Sequence, residues 1–427
     1  MNSALRLAPG LISSTAYNLR PSLLCRHTNL YRNLMTNSIK QRNLVPKNKL
    51  QNTFLVPRKA LPQVAICSTN SGAQQKGQKL VGTWLLGCSG MVFVAVILGG
   101  VTRLTESGLS MVHWKLLGES RPKTEQEWIA EFEHYKQFPE FKIKNPDMTL
   151  KEFKFIYWME YSHRMWGRAI GAFFALPAVY FWTRGYFSRG MKIRTIAFAA
   201  LIGAQGLMGW YMVKSGLEDR FHKESDVPRV SQYRLASHLT FAFVLYTLFL
   251  WSALDHLLPA EKLRGEVTKS VKRFRWFAHS TKGMIFLTAL SGAFVAGLDA
   301  GLVYNSFPKM ADRWIPSDIM ALEPKLSNIT ENPTTVQFNH RILGVTTLSL
   351  ISGLWLLSRR RILPRRAYSA ANAVAIMGWT QVLLGISTLL TYVPVSLAAA
   401  HQSGSLVLLS LAVWLTHELK FCKYIPK

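Results

Sequence analysis

Eight stretches of mostly apolar residues dominate this chain, and each is long enough to cross a membrane. A helix needs ~20 such residues to span the hydrocarbon layer. Of the 427 residues, 49% are hydrophobic and only 17% are charged, which is more apolar surface than one soluble core would hide. We therefore predict an all-α polytopic membrane protein whose eight transmembrane helices lie at about 82–101, 155–182, 195–213, 233–254, 277–298, 336–357, 370–392 and 395–416.

The formal net charge of +28 is concentrated in the first part of the chain and in a few loops. Residues 1–79 contain twelve Lys or Arg and no acid, and the first acidic residue is Glu106. This composition is typical of a mitochondrial transit peptide followed by a matrix linker, and it suits a secretory signal less well. Because the charge does not gather on a foldable soluble domain, we predict no nucleic-acid partner. The four cysteines show no CxxC spacing, so a disulfide framework or a zinc site is not expected.

The basic loops also predict an orientation. The segments 184–194, 262–275, 359–366 and 420–427 are strongly basic and alternate with segments of mixed charge. By the positive-inside rule they share the side from which the protein inserts, and an even number of spans returns both termini to that side. For a multi-pass protein of the mitochondrial inner membrane, that side is the matrix. The loop after the first span mixes aromatic and charged residues over 125–141, which favours short amphipathic helices.

A motif at the start of the second span recurs at the start of the sixth. Glu160-Tyr-Ser-His163-Arg164 aligns with Gln337-Phe-Asn-His340-Arg341, an offset of 177 residues, and the Gln-containing third and seventh spans repeat at an offset of 176. The agreement indicates a duplicated four-helix unit, with parallel copies related by an axis along the membrane normal. We predict two pseudo-symmetric four-helix bundles, at 80–256 and 276–427, joined by a basic matrix linker at 257–275.

Four histidines begin the even-numbered spans at the end away from the matrix: His163, His238, His340 and His401. Each predicted bundle therefore contributes two facing imidazoles, the arrangement that holds haem iron inside helical bundles. A histidine in a membrane helix often only bonds to a neighbouring helix, but four at equivalent depths in a duplicated frame favour iron ligation. Zinc is less favoured, since neither half offers a third or fourth ligand at suitable spacing.

A bound haem also needs cations for its propionates. The candidates at the non-matrix ends of the spans or in the adjoining loop are Arg103, Arg164, Arg168, Lys309 and Arg341. Each could bind a carboxylate as a bidentate pair or a point charge. The alternative is that these side chains only extend to the membrane interface.

The two copies differ at one informative position, where Glu160 stands against Gln337. Electron transfer needs two ligands and little else, whereas a proton-coupled oxidation needs a group that exchanges protons. We therefore assign chemistry to the first half and electron transfer to the second. Alternatively, Glu160 pairs with an arginine only to hold two helices. A di-haem b-type electron-transfer cytochrome is the alternative function, and a transporter or assembly scaffold is a third possibility.

Several longer motifs resemble the mitochondrial haem A synthase family over roughly residues 80–420. They are Gly99 to Ser110, Tyr157 to Arg168, Gly209 to Gly216, Tyr304 to Lys309 and Ala400 to Gly404. The family oxidises a methyl group of haem O to a formyl group through an alcohol, giving haem A for cytochrome c oxidase. Bacterial relatives often carry cysteine pairs in outer loops, and this chain has no such pairs.

The resemblance implies a role for each candidate residue. His163 and His238 would face the substrate haem O, His340 and His401 would bind a resident haem b, and Glu160 would be the catalytic carboxylate. Membrane lipid and haem O are the expected partners. Further candidate partners are the farnesyltransferase that produces haem O, an electron-transfer partner and a second copy of the chain.

Overall fold

The computed structural model describes residues 71–115, 118–217, 230–261 and 267–423. Residues 1–70 of the predicted targeting segment and linker, and parts of two predicted basic segments (262–266 and 424–427), lie outside these ranges. The regular structure in the described ranges is helical, which confirms the all-α prediction. The helices are α1 (Ser71–Leu104), α2 (Glu125–Tyr135), α3 (Pro139–Lys144), α4 (Leu150–Thr183), α5 (Arg189–Gly216), α6 (Gln232–Leu257), α7 (Lys269–Gly297), α8 (Pro333–Ser358), α9 (Arg365–Leu390) and α10 (Val395–Glu418).

Six of these helices have the length and composition of membrane spans: α1, α5, α6, α8, α9 and α10. The sequence predicted eight, and the other two, α4 and α7, contain 34 and 29 residues, so length does not limit them. Their apolarity is lower because charged residues interrupt them, among them Glu160, Arg164 and Arg168 in α4 and Lys282 in α7. The fold is therefore a polytopic membrane protein, and the count of eight spans stays a prediction.

The long helices begin at side chains that satisfy their first free N–H groups. Thr149 and Glu152 form a reciprocal capping box at the start of α4. Asn332 accepts from the backbone N–H groups of Thr334 and Thr335 at the start of α8, where Pro333 occupies the first turn. Such caps position the first turns, and α8 carries His340 within two turns of its cap.

The helices pair in the same way in both halves of the chain. In the first half, α1 packs on α4 and α6, and α5 packs on α4 and α6; in the second, α7 packs on α8 and α10, and α9 packs on α8 and α10. The halves meet where α1 and α6 contact α10 and where α6 contacts α7. One cluster of buried apolar side chains runs from α1 to α10. This repeated pairing agrees with the predicted duplication, and the domain boundaries stay a prediction.

The predicted amphipathic segment over 125–141 forms the short helices α2 and α3. Their apolar faces pack on the first turns of α4, around Trp128, Phe132, Tyr135, Phe153 and Tyr157. Side chains such as Leu176, Ile196, Leu207 and Ile376, by contrast, are largely exposed on the long helices. An apolar outer surface together with one packed cap is what a protein surrounded by lipid requires.

Candidate functional site

One large cavity opens between the long helices and is lined by residues from all eight of them. Its volume is about 1840 Å³, whereas pockets for ordinary small molecules occupy ~300–1,000 Å³. Among the described histidines, only His163, His238, His340 and His401 line it. The structure therefore brings together the four histidines that the sequence singled out, in a space large enough for two bulky ligands.

Each of these histidines lies against a glycine of the preceding long helix. The pairs are His163 with Gly99, His238 with Gly209, His340 with Gly292 and His401 with Gly385. A methyl group at Gly99 would lie 2.9 Å from Cε1 of His163, and one at Gly385 would lie 2.8 Å from Cε1 of His401. Both distances are too short for ordinary contact, so at these two positions the absence of a Cβ makes room for the ring.

The two imidazoles of the second half have polar groups against their Nδ1 atoms. Their ring centroids lie 6.4 Å apart and the rings are nearly perpendicular. Oγ of Ser291 is 2.7 Å from Nδ1 of His340, and the same hydroxyl donates to the Thr288 carbonyl. Because its hydrogen is used in that bond, the Ser291 hydroxyl can only accept a hydrogen bond from the Nδ1–H group of His340. The neutral ring then has its lone pair at Nε2. Nε2 of Gln381 lies 3.1 Å from Nδ1 of His401 and donates to the His401 carbonyl.

In the first half, the Nδ1 atoms of His163 and His238 are buried and have no hydrogen-bond partner among the described residues. Gln205 donates to the His238 carbonyl, as Gln381 does to that of His401, but it does not bond to the ring. The two halves therefore place their histidines at matching helix positions. Within the described structure, side chains contact the Nδ1 atoms of the rings only in the second half. A histidine that holds a metal usually donates its other ring N–H to an acceptor. In the described structure only the second pair has polar groups at Nδ1, and of these the Ser291 hydroxyl at His340 is the acceptor, whereas the Gln381 amide nitrogen at His401 can only donate.

Glu160 is 2% exposed and forms part of the cavity wall. Its Oε1 accepts from Nε and Nη2 of Arg164 at 3.0 and 2.5 Å, and its Oε2 accepts from the Ser110 hydroxyl at 2.7 Å and the Met111 N–H at 2.8 Å. The two guanidinium N–H groups and the backbone N–H can only donate. The Glu160 carboxyl group therefore accepts hydrogen bonds on both oxygens and forms a buried ion pair with Arg164.

Gln337, 3% exposed, occupies the matching place in the second half. Its Nε2 donates to the carbonyls of Ala300 and Tyr304, while its Oε1 accepts from Arg341 at 3.2 Å. In both copies, the residue one turn before the histidine joins the arginine after it and anchors the loop that follows the preceding long helix. The structure thus contains the Glu160–Arg164 ion pair that the alternative interpretation, a contact that only holds two helices, requires. Both side chains also line the cavity.

The candidate cations differ in how far their donors are already used. Arg164 is fully engaged with Glu160 and with the carbonyls of Met111 and His113. Arg103 pairs with Asp299 at 2.7 Å, at the boundary between the halves. Arg168 donates to the Lys115 carbonyl and packs over Trp114. Arg341 donates to the Tyr304 carbonyl, and its Nε has no partner among the described residues.

Lys309 is the one candidate that does not line the cavity. It is exposed, and its ammonium group lies 6.0 Å from the centroid of the Trp314 ring. Arg103, Arg164, Arg168 and Arg341 all contribute to the lining. The geometry therefore favours Arg341, whose Nε has no partner among the described residues, as a cation able to reach a ligand in the cavity, and Lys309 is the candidate it favours least.

Sequence reasoning missed three polar residues, two that line the cavity and one that contacts a cavity histidine. The Ser291 hydroxyl contacts Nδ1 of His340. Gln402 donates to the Val96 carbonyl across the boundary between the halves, and Glu140 of α3 lines the cavity. Ser291 adjoins the glycine that matches Gly99, which could have marked it. Glu140 had no such signal because it lies in a loop of mixed charge. In the described ranges, no three His, Cys, Asp or Glu side chains gather as a metal site, and Cys88 and Cys422 are buried free thiols.

Comparison with known proteins identifies related chains. The family model COX15-CtaA, described as cytochrome oxidase assembly protein, matches residues 82–413. Heme A synthase COX15 of Homo sapiens is 61% identical over 353 residues, which cover 82% of this chain and 85% of the relative. The Bos taurus protein of the same name is 60% identical over 354 residues, with coverages of 83% and 85%. Heme A synthase of Nitrosospira multiformis is 44% identical over 344 residues, with coverages of 80% and 94%.

Proposed function

This chain belongs to the COX15-CtaA family of cytochrome oxidase assembly proteins, and we propose that it acts as a haem A synthase. Its reaction is the oxidation of a methyl group of haem O to a formyl group, which gives haem A for cytochrome c oxidase. The observation that carries the proposal is the placement of His163, His238, His340 and His401 around one cavity, two from each copy of the repeat. The relatives named heme A synthase, about 60% identical over most of the chain, support it.

The cavity residues fit porphyrin ligands. His340 has its Nδ1 proton directed to Ser291, so its Nε2 is the nitrogen free to bind iron. Because a glycine faces each imidazole ring, no side chain from that position stands between the helix backbone and the ring. The wall is otherwise largely apolar, as a hydrophobic macrocycle with a long isoprenoid chain requires. Arg341 is placed to meet a propionate, and Arg168 also lines the cavity.

We assign the resident haem b to His340 and His401 and the substrate haem O to His163 and His238. A haem at the second pair would supply reversible one-electron chemistry. Ser291 and Gln381 keep that pair of rings in a fixed orientation, which suits a permanently held group. His163 and His238 lack such partners, which suits a ligand that must enter and leave. This difference supports the assignment independently of Glu160.

Glu160 is the proposed catalytic carboxylate of the first half. In its ion pair with Arg164, it serves as a base and as a negative charge beside the substrate. The Ser110 hydroxyl on Oε2 is the group through which a proton reaches or leaves it. Gln337 offers neither charge nor proton exchange, so the second half is left with ligand binding and electron transfer.

We place the chain in the mitochondrial inner membrane as a multi-pass protein with both termini in the matrix. The amino-terminal composition and the relation to COX15 proteins support this location. The basic segments at 184–194 and 359–366 follow the ends of α4 and α8 opposite their histidines, which supports an orientation with the cavity residues toward the intermembrane space. The enzyme that makes haem O, an electron-transfer partner and a second copy of the chain are the proposed partners.

Pigment analysis tests the proposed function. The protein is expressed with and without an enzyme that makes haem O, and the extracted haems are identified by mass. We expect haem b in both preparations and a formyl-bearing haem only when haem O is supplied. Haem b alone under both conditions would instead favour an electron-transfer cytochrome, and preparations without stoichiometric haem would favour a transporter or scaffold.

A further inference from the structure

A second carboxyl group faces the same cavity as Glu160. Glu140 lies in the short helix α3, outside the membrane-spanning helices, and is only 5% exposed. It lines the cavity together with Glu160, Glu106 and Lys144. Burial of an ionised carboxylate without a compensating partner is energetically costly, so the protonation state of Glu140 depends on its neighbours.

The partners of Glu140 are neutral. The Tyr135 hydroxyl donates to its Oε2 at 3.1 Å and itself accepts from Nδ2 of Asn145, and Tyr135 is completely buried. Oε1 accepts no hydrogen bond within the described residues. Lys144, the cation of the same helix, is bound instead to Glu106 at 2.6 Å. In the described structure, Glu140 therefore has no ion-pair partner.

These surroundings keep Glu140 in its acid form. Burial raises the pKa of Glu140 to about 8, and the negative charges of Glu160 and Glu106 act in the same direction. The Tyr135 hydroxyl and Lys144 oppose the shift without cancelling it. In the described structure, the cavity thus contains one carboxyl group without an ion-pair partner, Glu140, and one paired with Arg164, Glu160, and these different surroundings separate their roles into acid and base.

We propose that Glu140 is a proton-relay residue, which exchanges protons between water at the cavity mouth and the Glu160 carboxylate. This inference rests on the proposed function. In the transfer, the O–H bond of Glu140 breaks and an O–H bond forms on Glu160, through water and the Ser110 hydroxyl that donates to Oε2 of Glu160. Water then reprotonates Glu140, and the reverse sequence carries a proton out. The transfer changes no oxidation state, so it needs no oxidant.

The position of the mouth supports this route. Glu106 is exposed while also lining the cavity, and it pairs with the half-buried Lys144, which belongs to the same short helix as Glu140. Because Oε2 of Glu140 is taken by Tyr135, the acid proton resides on Oε1. Oxidation of a methyl to a formyl group exchanges protons as well as electrons, and an electron carrier moves only the electrons. A largely apolar cavity therefore needs a separate group for the protons.

The protonation state can be measured without any turnover. Infrared spectroscopy of the full chain, purified without added haem, should show the C=O stretch of a protonated carboxylic acid at neutral pH, which disappears as the pH rises through about 8. This band should be lost in Glu140→Gln and kept in Glu160→Gln. A band at neutral pH that Glu140→Gln leaves unchanged, or no such band at all, would overturn the proposal.

Thermal stability gives a second test, with a defined sign. Between the usual carboxyl pKa and about 8, the folded state binds one more proton than the unfolded chain, so stability should fall as the pH rises through that window. Glu140→Gln should remove this fall, whereas the exposed control Glu133→Gln should retain it. An identical pH dependence in wild type and Glu140→Gln would contradict a neutral Glu140.

Turnover tests the relay itself. Glu140→Gln should reduce formation of the formyl haem by on the order of a hundredfold, with the bound-haem spectrum unchanged. Glu140→Asp should restore part of the rate, and Glu133→Gln should match wild type. Wild-type turnover and pH profile in Glu140→Gln would overturn the relay and leave the proposed function standing. If the wild type made no formyl haem, the proposed function would fail, and the infrared titration would still decide the protonation of Glu140.

Discussion

The two halves of this molecule share one helical frame and differ in the polar groups that surround their histidines. In the second half, Ser291 and Gln381 contact the rings, and Gln337 fills the place before His340. In the first half, the Nδ1 atoms of the rings have no partner among the described residues, and Glu160 lies at the cavity wall. The difference supports the proposal that a duplicated scaffold acquires two functions through a few side chains: fixed rings favour permanent binding, and rings without such partners beside a carboxylate favour exchange and chemistry.

Removing one ligand of the second half should have the largest effect. His340→Ala deletes an axial imidazole, so the resident haem spectrum should disappear even when no substrate is supplied, and formyl haem formation should stop with it. Absorption spectra of the purified protein measure the loss. The matched variant His163→Ala should keep the resident spectrum. An unchanged low-spin spectrum in His340→Ala would show that the roles of the halves are wrongly assigned.

Glu160→Gln converts the first half to the arrangement of the second. An amide oxygen can still accept from Arg164, as Gln337 accepts from Arg341, so folding and haem binding should survive. Formyl haem formation should fall about 10²–10⁴-fold, because the base and its charge are lost. Single-turnover product analysis measures this. Full activity in Glu160→Gln would remove the carboxylate from the mechanism and reduce the ion pair to a structural contact.

A substitution at a histidine-facing glycine should have a smaller effect. A methyl group at Gly385 would lie 2.8 Å from the His401 ring, and relieving that contact costs about 1–3 kcal/mol. Gly385→Ala should therefore lower thermal stability and weaken retention of the resident haem. Gly283→Ala is the matched control, because among the described residues a methyl group there meets nothing within 4 Å and Gly283 does not line the cavity. Equal melting temperatures in the two variants would argue against close seating of His401.

Loss of the Ser291 hydroxyl should have the mildest effect of the four. Ser291→Ala leaves His340 in place but removes the acceptor for its Nδ1 proton, so the resident haem should be held about tenfold less tightly. Haem dissociation to an acceptor globin measures the change. Ser403→Ala is the control, since that hydroxyl bonds only to its own helix. An unaltered dissociation rate in Ser291→Ala would mean that ring fixing does not distinguish the halves.

The sequence predicted the all-helical fold, the helix order and the four cavity histidines because hydropathy and an aligned motif depend on local spacing. It could not predict which polar groups meet across helices. The contact between Ser291 and His340, the ion pair of Glu160 and the burial of Glu140 each depend on tertiary packing. The same limit applies to Lys309, a candidate from its place in the loop after the fifth span, which does not line the cavity in the fold.

The most direct test of the account is a density map of the purified protein supplied with haem O. The account predicts two porphyrins in the shared cavity: one between His340 and His401, also present without haem O, and one between His163 and His238 only when haem O is supplied. A single porphyrin, or imidazoles that point away from the cavity into lipid, would contradict the central claim that each copy of the repeat binds its own haem through two histidines.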